Sequence, residues 1–156
     1  MLLKHLPAKT GMAFVFVQHL SPDHESILPS ILSKSSKMPV QEVKDMSPIE
    51  PDRVYVMPPD KEMNVLDGKI QLTPRSESRT VNLLIDVFFA SLAEKHKENV
   101  IGIILSGSAN DGTRGMKGIK YEGGLTFAQD DTAKFNSMPR SAIAAGVGDF
   151  VLPPHE

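Results

Sequence analysis

The sequence predicts an α/β fold with a mostly parallel sheet and one antiparallel piece. Three observations carry that expectation. Two apolar runs lack alternation, Met12-Ala-Phe-Val-Phe-Val17 and Val100-Ile-Gly-Ile-Ile-Leu105, the pattern of strands buried on both faces. Between them Val81, Leu84, Ile85, Phe88, Phe89 and Leu92 recur at helical spacing and form one apolar stripe on a helix spanning Thr80 to Lys97. Asp67-Gly68 separates Met63–Leu66 from Lys69–Leu72, a hairpin signal, because both turn residues tolerate the left-handed backbone of a tight turn.

The remaining elements follow in order. Past the first strand, Glu25 to Lys34 reads as a helix, with Ile27, Leu28, Ile31 and Leu32 at helical spacing, provided that Pro29 lies in its first turn. Val40 to Val43 and Arg53 to Met57 are short strands, the second stopped by Pro58-Pro59. Thr80 is the expected N-cap of the long helix. After Val100–Leu105 come a Ser/Gly loop, Ser106 to Gly112, a helix from Thr113 to Tyr121 ended by Gly123-Gly124, and a strand from Leu125 to Gln129. A short helix from Pro139 to Ala145 ends at Gly146, and Phe150 to Leu152 is the last strand.

Composition narrows the functional classes. The chain has 156 residues, enough for one domain with a substantial core, and its charge is 17 − 19 = −2. That balance argues against nucleic-acid binding, which leaves a basic footprint. The absence of cysteine excludes disulfides, thiolate metal sites and a cysteine nucleophile. No apolar run is long enough to span a membrane, and Met1 to Gly11 lacks the apolar stretch of a signal peptide, so the expected compartment is the cytoplasm.

Ligands of open α/β sheets sit beyond the carboxyl ends of the strands. His19 follows the first buried strand and Asp111 follows Val100–Leu105. If those strands are parallel, both side chains emerge on one rim. A histidine with an aspartate is the base and orienter of a hydrolytic triad, the carboxylate holding the imidazole tautomer. Plainer roles exist for each residue: a hydrogen-bonded structural histidine, and an aspartate capping the next helix. No G-x-S-x-G nucleophile turn occurs in the chain. Ser106 and Ser108 share one short loop with Asp111, which makes it hard for either of them and the aspartate to grip opposite sides of one imidazole. His19 and His24 lack metalloprotease spacing, and Gly107 to Gly112 lacks the G-K-[ST] of a phosphate loop. Arg140 reads as a surface residue.

Four stretches, in this order, resemble the protein-glutamate methylesterases of bacterial chemotaxis (CheB-type catalytic domains). They are Val17-Gln18-His19, Val54-Tyr-Val-Met-Pro-Pro-Asp60, Ile104-Leu-Ser-Gly-Ser-Ala-Asn-Asp-Gly112 and Met138-Pro-Arg140, and the resemblance covers essentially all 156 residues. It implies a doubly wound, three-layer α/β/α fold and hydrolysis of glutamate γ-methyl esters on the cytoplasmic helices of chemoreceptors, with glutamine deamidation as a second activity. It places the catalytic histidine at His19 and the catalytic aspartate at Asp111, and puts Ser108 and Asn110 in a loop serving the oxyanion or the substrate. It calls for no cofactor and no metal. The wording of Gln18 to His24 and Leu105 to Gly112 is most similar to members fused to a methyltransferase. The family opens with a strand and a G-x-S-x-G-G turn bearing the serine. This chain is expected to begin after that turn, with Met1 to Lys4 as the tail of the first helix. It then forms one N-terminally truncated catalytic domain, residues 1–156, that lacks its first strand, is nearly inactive alone and is prone to self-association. The alternative is an inactive receptor- or partner-binding module on the same fold.

Overall fold

The computed structural model describes residues 1–19, 27–75, 83–108 and 110–156. They form two compact units, Met1–Arg79 with His155, and Thr80–Pro154 with Glu156.

In the first unit, β1 (Phe14–Phe16), β2 (Val40–Glu42) and β4 (Val54–Val56) make a parallel sheet in the order β1-β4-β2. The central strand, Val54-Tyr55-Val56, is buried on both faces. The expectation of full burial for the first apolar run is corrected here: among the described residues β1 is a sheet edge paired with β4 alone, and its three residues are partly buried. Leu3, Leu32, Met38, Val54 and Val56 form a core on one side of this sheet, with Leu3 placed by a 3₁₀ turn over Leu2–Lys4. The helix α1 (Leu28–Ser33) does carry its proline in the first turn, but Ile27 and Ile31 of the predicted stripe are exposed and only Leu32 is buried. Its predicted start at Glu25 lies outside the described residues.

The hairpin forms as expected and is longer than read. The strands β5 (Lys61–Leu66) and β6 (Lys69–Pro74) pair antiparallel from Leu66↔Lys69 to Lys61↔Pro74. Asp67 (φ 49°) and Gly68 (φ 72°) are both left-handed, the backbone this two-residue turn needs. A two-residue strand absent from the sequence reading, β3 (Ser47–Pro48), adds to the free edge of β6. Tyr55 is fully buried, and its hydroxyl is satisfied: the Glu50 N–H donates to it at 2.9 Å and it donates to the Pro48 carbonyl at 3.1 Å.

The second unit holds β7 (Ile101–Ile104), β8 (Leu125–Gln129) and β9 (Phe150–Leu152), all parallel, in the order β7-β8-β9. The helices are α2 (Leu84–His96), α3 (Thr113–Tyr121) and α4 (Ser137–Ala144). The predicted Thr80 cap lies outside the described residues, and α2 begins at Leu84. Two successive crossovers, through α3 and α4, advance in one direction, so right-handed connection puts both helices on one face. That face carries Gly102, Ile104, Thr126 and Ala128, all buried. Gly102 lets α3 lie close: a Cβ there would stand 2.7 Å from Ile119 Cδ1 and Met116 Sδ. The opposite face corrects the expectation that β7 is buried on both sides. Ile101, Leu125 and Phe150 are 43%, 46% and 46% exposed, and Phe150 stacks on Phe127 at 5.0 Å between ring centroids. Alternation was invisible because both faces are apolar.

Candidate active site

The loop from Leu105 to Gly112 leaves the carboxyl end of β7 and is pinned at both ends. At its start the Ser106 N–H donates to Gln129 Oε1 and the Phe135 N–H donates to the Ser106 hydroxyl, each at 2.9 Å. The Gly107 N–H donates to the Phe135 carbonyl (2.8 Å), and the Met138 N–H to the Gly107 carbonyl (3.2 Å). A Cβ at Gly107 would collide with Met138 Sδ. Ser106 is thus a structural acceptor. Ser108 and Asn110 are exposed between the two anchored ends.

At the far end Asp111 is 2% exposed. It does not cap the helix that follows it. Its Oδ2 accepts the Ile85 N–H and its Oδ1 the Asp86 N–H, both at 2.9 Å, so it closes the first turn of α2. The α2 N-cap, Leu83, has no polar side chain, so this carboxylate takes amides that would otherwise be unsatisfied. The positive end of the helix also favours the charge. Gly112 (φ 96°) makes the sharp entry into α3, and a Cβ there would stand 2.5 Å from Ile104 Cδ1.

The arrangement is reciprocal. Asp86, 8% exposed, sits in the first turn of α2 and its Oδ1 accepts the Gly115 N–H of α3 at 2.6 Å. Gly112, the α3 N-cap, has no side chain to offer. Burial above all raises the Asp86 carboxyl above the ordinary carboxylate range; the Gly115 N–H opposes the rise and the nearby Asp111 charge adds to it. Gly115 permits the close approach of the helices, since a Cβ there would lie 2.5 Å from Phe89 Cβ and 3.2 Å from the Asp86 carbonyl oxygen. The sequence reading missed Asp86. The available signal was an acid in the first turn of one helix and a second acid just before the next.

Asp86 and Asn110 also line an open cavity of about 680 Å³ with Thr113, Arg114 and Ser141. The Thr113 hydroxyl oxygen is buried there with no hydrogen-bond partner. His19 belongs to the first unit, three residues past the end of β1, and is partly buried. Asp111, Ser108 and Asn110 belong to the second. Arg140 is a surface residue, 3.2 Å from Asp131. No group of three metal-binding side chains exists among the described residues, and none of their helices is long and apolar enough to cross a membrane.

The CheB methylesterase family matches over residues 1–156. The chain belongs to that family. It is similar to the crystal structure of the Thermotoga maritima CheB methylesterase catalytic domain, with a TM-score of 0.90 at 31% identity over 99% of this chain and 84% of that one. Its mixed α/β architecture, parallel sheets with an antiparallel sheet, is that of this catalytic domain. The protein-glutamate methylesterase/protein-glutamine glutaminase of Thermotoga maritima is 31% identical over 161 residues, covering 100% of this chain and 47% of that protein. An uncharacterized 104.1 kDa protein of Rhodobacter capsulatus is 39% identical over 124 residues, 79% of this chain and 13% of that one. The CheB family chain described here thus spans about half of one relative and a small part of the other. It is a member of a hydrolase family by these similarities.

Proposed function

We propose that these residues carry the base and the orienting acid of a serine-hydrolase triad, one that removes methyl groups from glutamate γ-methyl esters of chemoreceptor helices. Glutamine deamidation is the second activity of the same site. The observation that supports this best is Asp111: a buried carboxylate at the carboxyl end of a parallel strand, with each oxygen tied to a helix-start amide. Held in this way it stays fixed while it orients an imidazole. His19, beyond the end of β1, is that imidazole in this reading.

The serine comes from sequence other than these 156 residues, which contain no G-x-S-x-G turn. Its hydroxyl attacks the ester carbonyl while His19 takes the proton. His19 returns that proton to the departing methoxide oxygen, releasing methanol, and water hydrolyses the acyl-enzyme by the same route. Ser108 and Asn110 line the loop that faces the oxyanion or the substrate. Methylated receptor helices in the cytoplasm are the partner. A methyltransferase on the same polypeptide or bound to it is a further partner in this reading, which rests on the wording of Gln18 to His24 and Leu105 to Gly112.

The test places a strand and a G-x-S-x-G-G turn of the kind the family resemblance implies ahead of this chain and measures methanol released from methylated receptor helices. The expected result is turnover that His19→Ala and Asp111→Asn each reduce by at least about 10³-fold. Turnover indifferent to His19→Ala overturns the assignment. The missing nucleophile motif favours one other reading, a binding module on this fold, and binding of the same helices with no turnover would establish it instead.

A further inference from the structure

We propose that Asp86 is a positioning residue for Asp111: it closes the first turn of α3 while Asp111 closes the first turn of α2, and this exchange fixes the rotation of the carboxylate that is to hold the imidazole. The inference rests on the His19–Asp111 pairing of the preceding section and deepens it. Both helices start at residues that offer no side-chain cap, Leu83 and Gly112. Each is capped instead by a buried carboxylate from the other helix's entry. Neither helix start can shift without breaking a bond at the other. The Asp111 loop is therefore tied to α2 twice, directly through Asp111 and indirectly through Gly115 and Asp86. Van der Waals contact at Gly115 removes the slack, since α3 backbone and α2 backbone meet there without an intervening side chain. Asp86 makes no ion pair among the described residues, so its carboxylate serves the α3 amides; Arg114 of α3 shares its cavity and Asp111 is its acidic neighbour. A cap alone would be satisfied by serine or asparagine at the N-cap position itself. The cross-helix geometry adds what a local cap cannot, a fixed relation between the loop that bears Asp111 and the helix whose amides hold it.

The test uses the chain as it stands and reads the coupling of His19→Ala with Asp111→Asn in urea unfolding, first in the native background and then with Asp86→Asn. The native background should show a coupling of at least about fivefold in the unfolding constant, as expected of residues in contact. With Asp86→Asn it should fall below about twofold. Asp86→Ser is the second variant, should the asparagine chain fail to fold. A merely structural Asp86 would lower stability and leave the coupling intact, and that result overturns the inference. A cycle already additive in the native background overturns the pairing itself, and this inference with it, so the two failures are told apart.

Discussion

Replacing Asp111 by alanine should cost far more stability than any surface charge in this chain, whatever its effect on chemistry. The carboxylate accepts two buried amides, from Ile85 and Asp86, each at 2.9 Å. A buried donor left unsatisfied costs about 1–3 kcal/mol, and loss of an N-cap by itself costs about 0.5–2 kcal/mol. Asp111→Ala is therefore expected to destabilise by about 2–5 kcal/mol, a large share of the roughly 5–15 kcal/mol typical of a native protein. Asp111→Asn keeps one acceptor oxygen but turns an NH2 group toward the second amide, and about 1–3 kcal/mol is expected. Urea unfolding with unchanged m-values measures both. Arg140→Ala is the control, an exposed pair 3.2 Å from Asp131, expected within about 0.5 kcal/mol of the parent. If Asp111→Ala costs no more than Arg140→Ala, the carboxylate does not hold the start of α2 and the construction of the site is wrong. The size of the effect also warns against reading lost activity in the alanine variant as lost catalysis.

Other outcomes follow from the same structure. Gly115→Ala should cost about 1–3 kcal/mol or more, because its Cβ would stand 2.5 Å from Phe89 Cβ and press on α2 backbone; parental unfolding by urea would contradict the helix contact. The Asp149 carboxyl is held below the ordinary carboxylate range by Lys120 at 2.6 Å and by the Thr126 hydroxyl and N–H. A depressed folded-state pKa gives stability that is present above the ordinary value near 3.8 and lost as pH falls below it. Asp149→Asn should thus be less stable than the parent at neutral pH, with the gap closing as pH drops below that value; a gap that is constant with pH contradicts the reading. The apolar face of β7, β8 and β9 should make these 156 residues self-associate, and Leu125→Lys should shift sedimentation toward monomer. A monomer at all concentrations would refute this.

Much of the second unit was legible in the sequence. The stretch from Thr113 to Tyr121 and that from Leu125 to Gln129 match α3 and β8 to the residue, because a positive-φ glycine punctuates each boundary: Gly112 before the helix and Gly123 after it. The hairpin was legible for the same reason, since Asp67-Gly68 dictates its turn. What local pattern could not show was which face of a doubly apolar strand finds a partner. Ile101 and Ile104 look alike in the chain, yet one is exposed and the other buried. The two-residue strand β3 contains a proline and has no local signature at all. The burial and bonding of Asp111 were not legible in the chain, because its partners are amides 25 and 26 positions away. For the same reason nothing in the chain singled out Asp86, whose carboxylate accepts from an amide 29 positions away.

The central claim is that His19 and Asp111 act as a pair, and the most direct measurement is their double-mutant cycle in urea unfolding. His19→Ala, Asp111→Asn and the double variant should give a coupling of about 1–3 kcal/mol. Effects that add to within about 0.5 kcal/mol would mean that the imidazole and the carboxylate do not meet, and the account would fall.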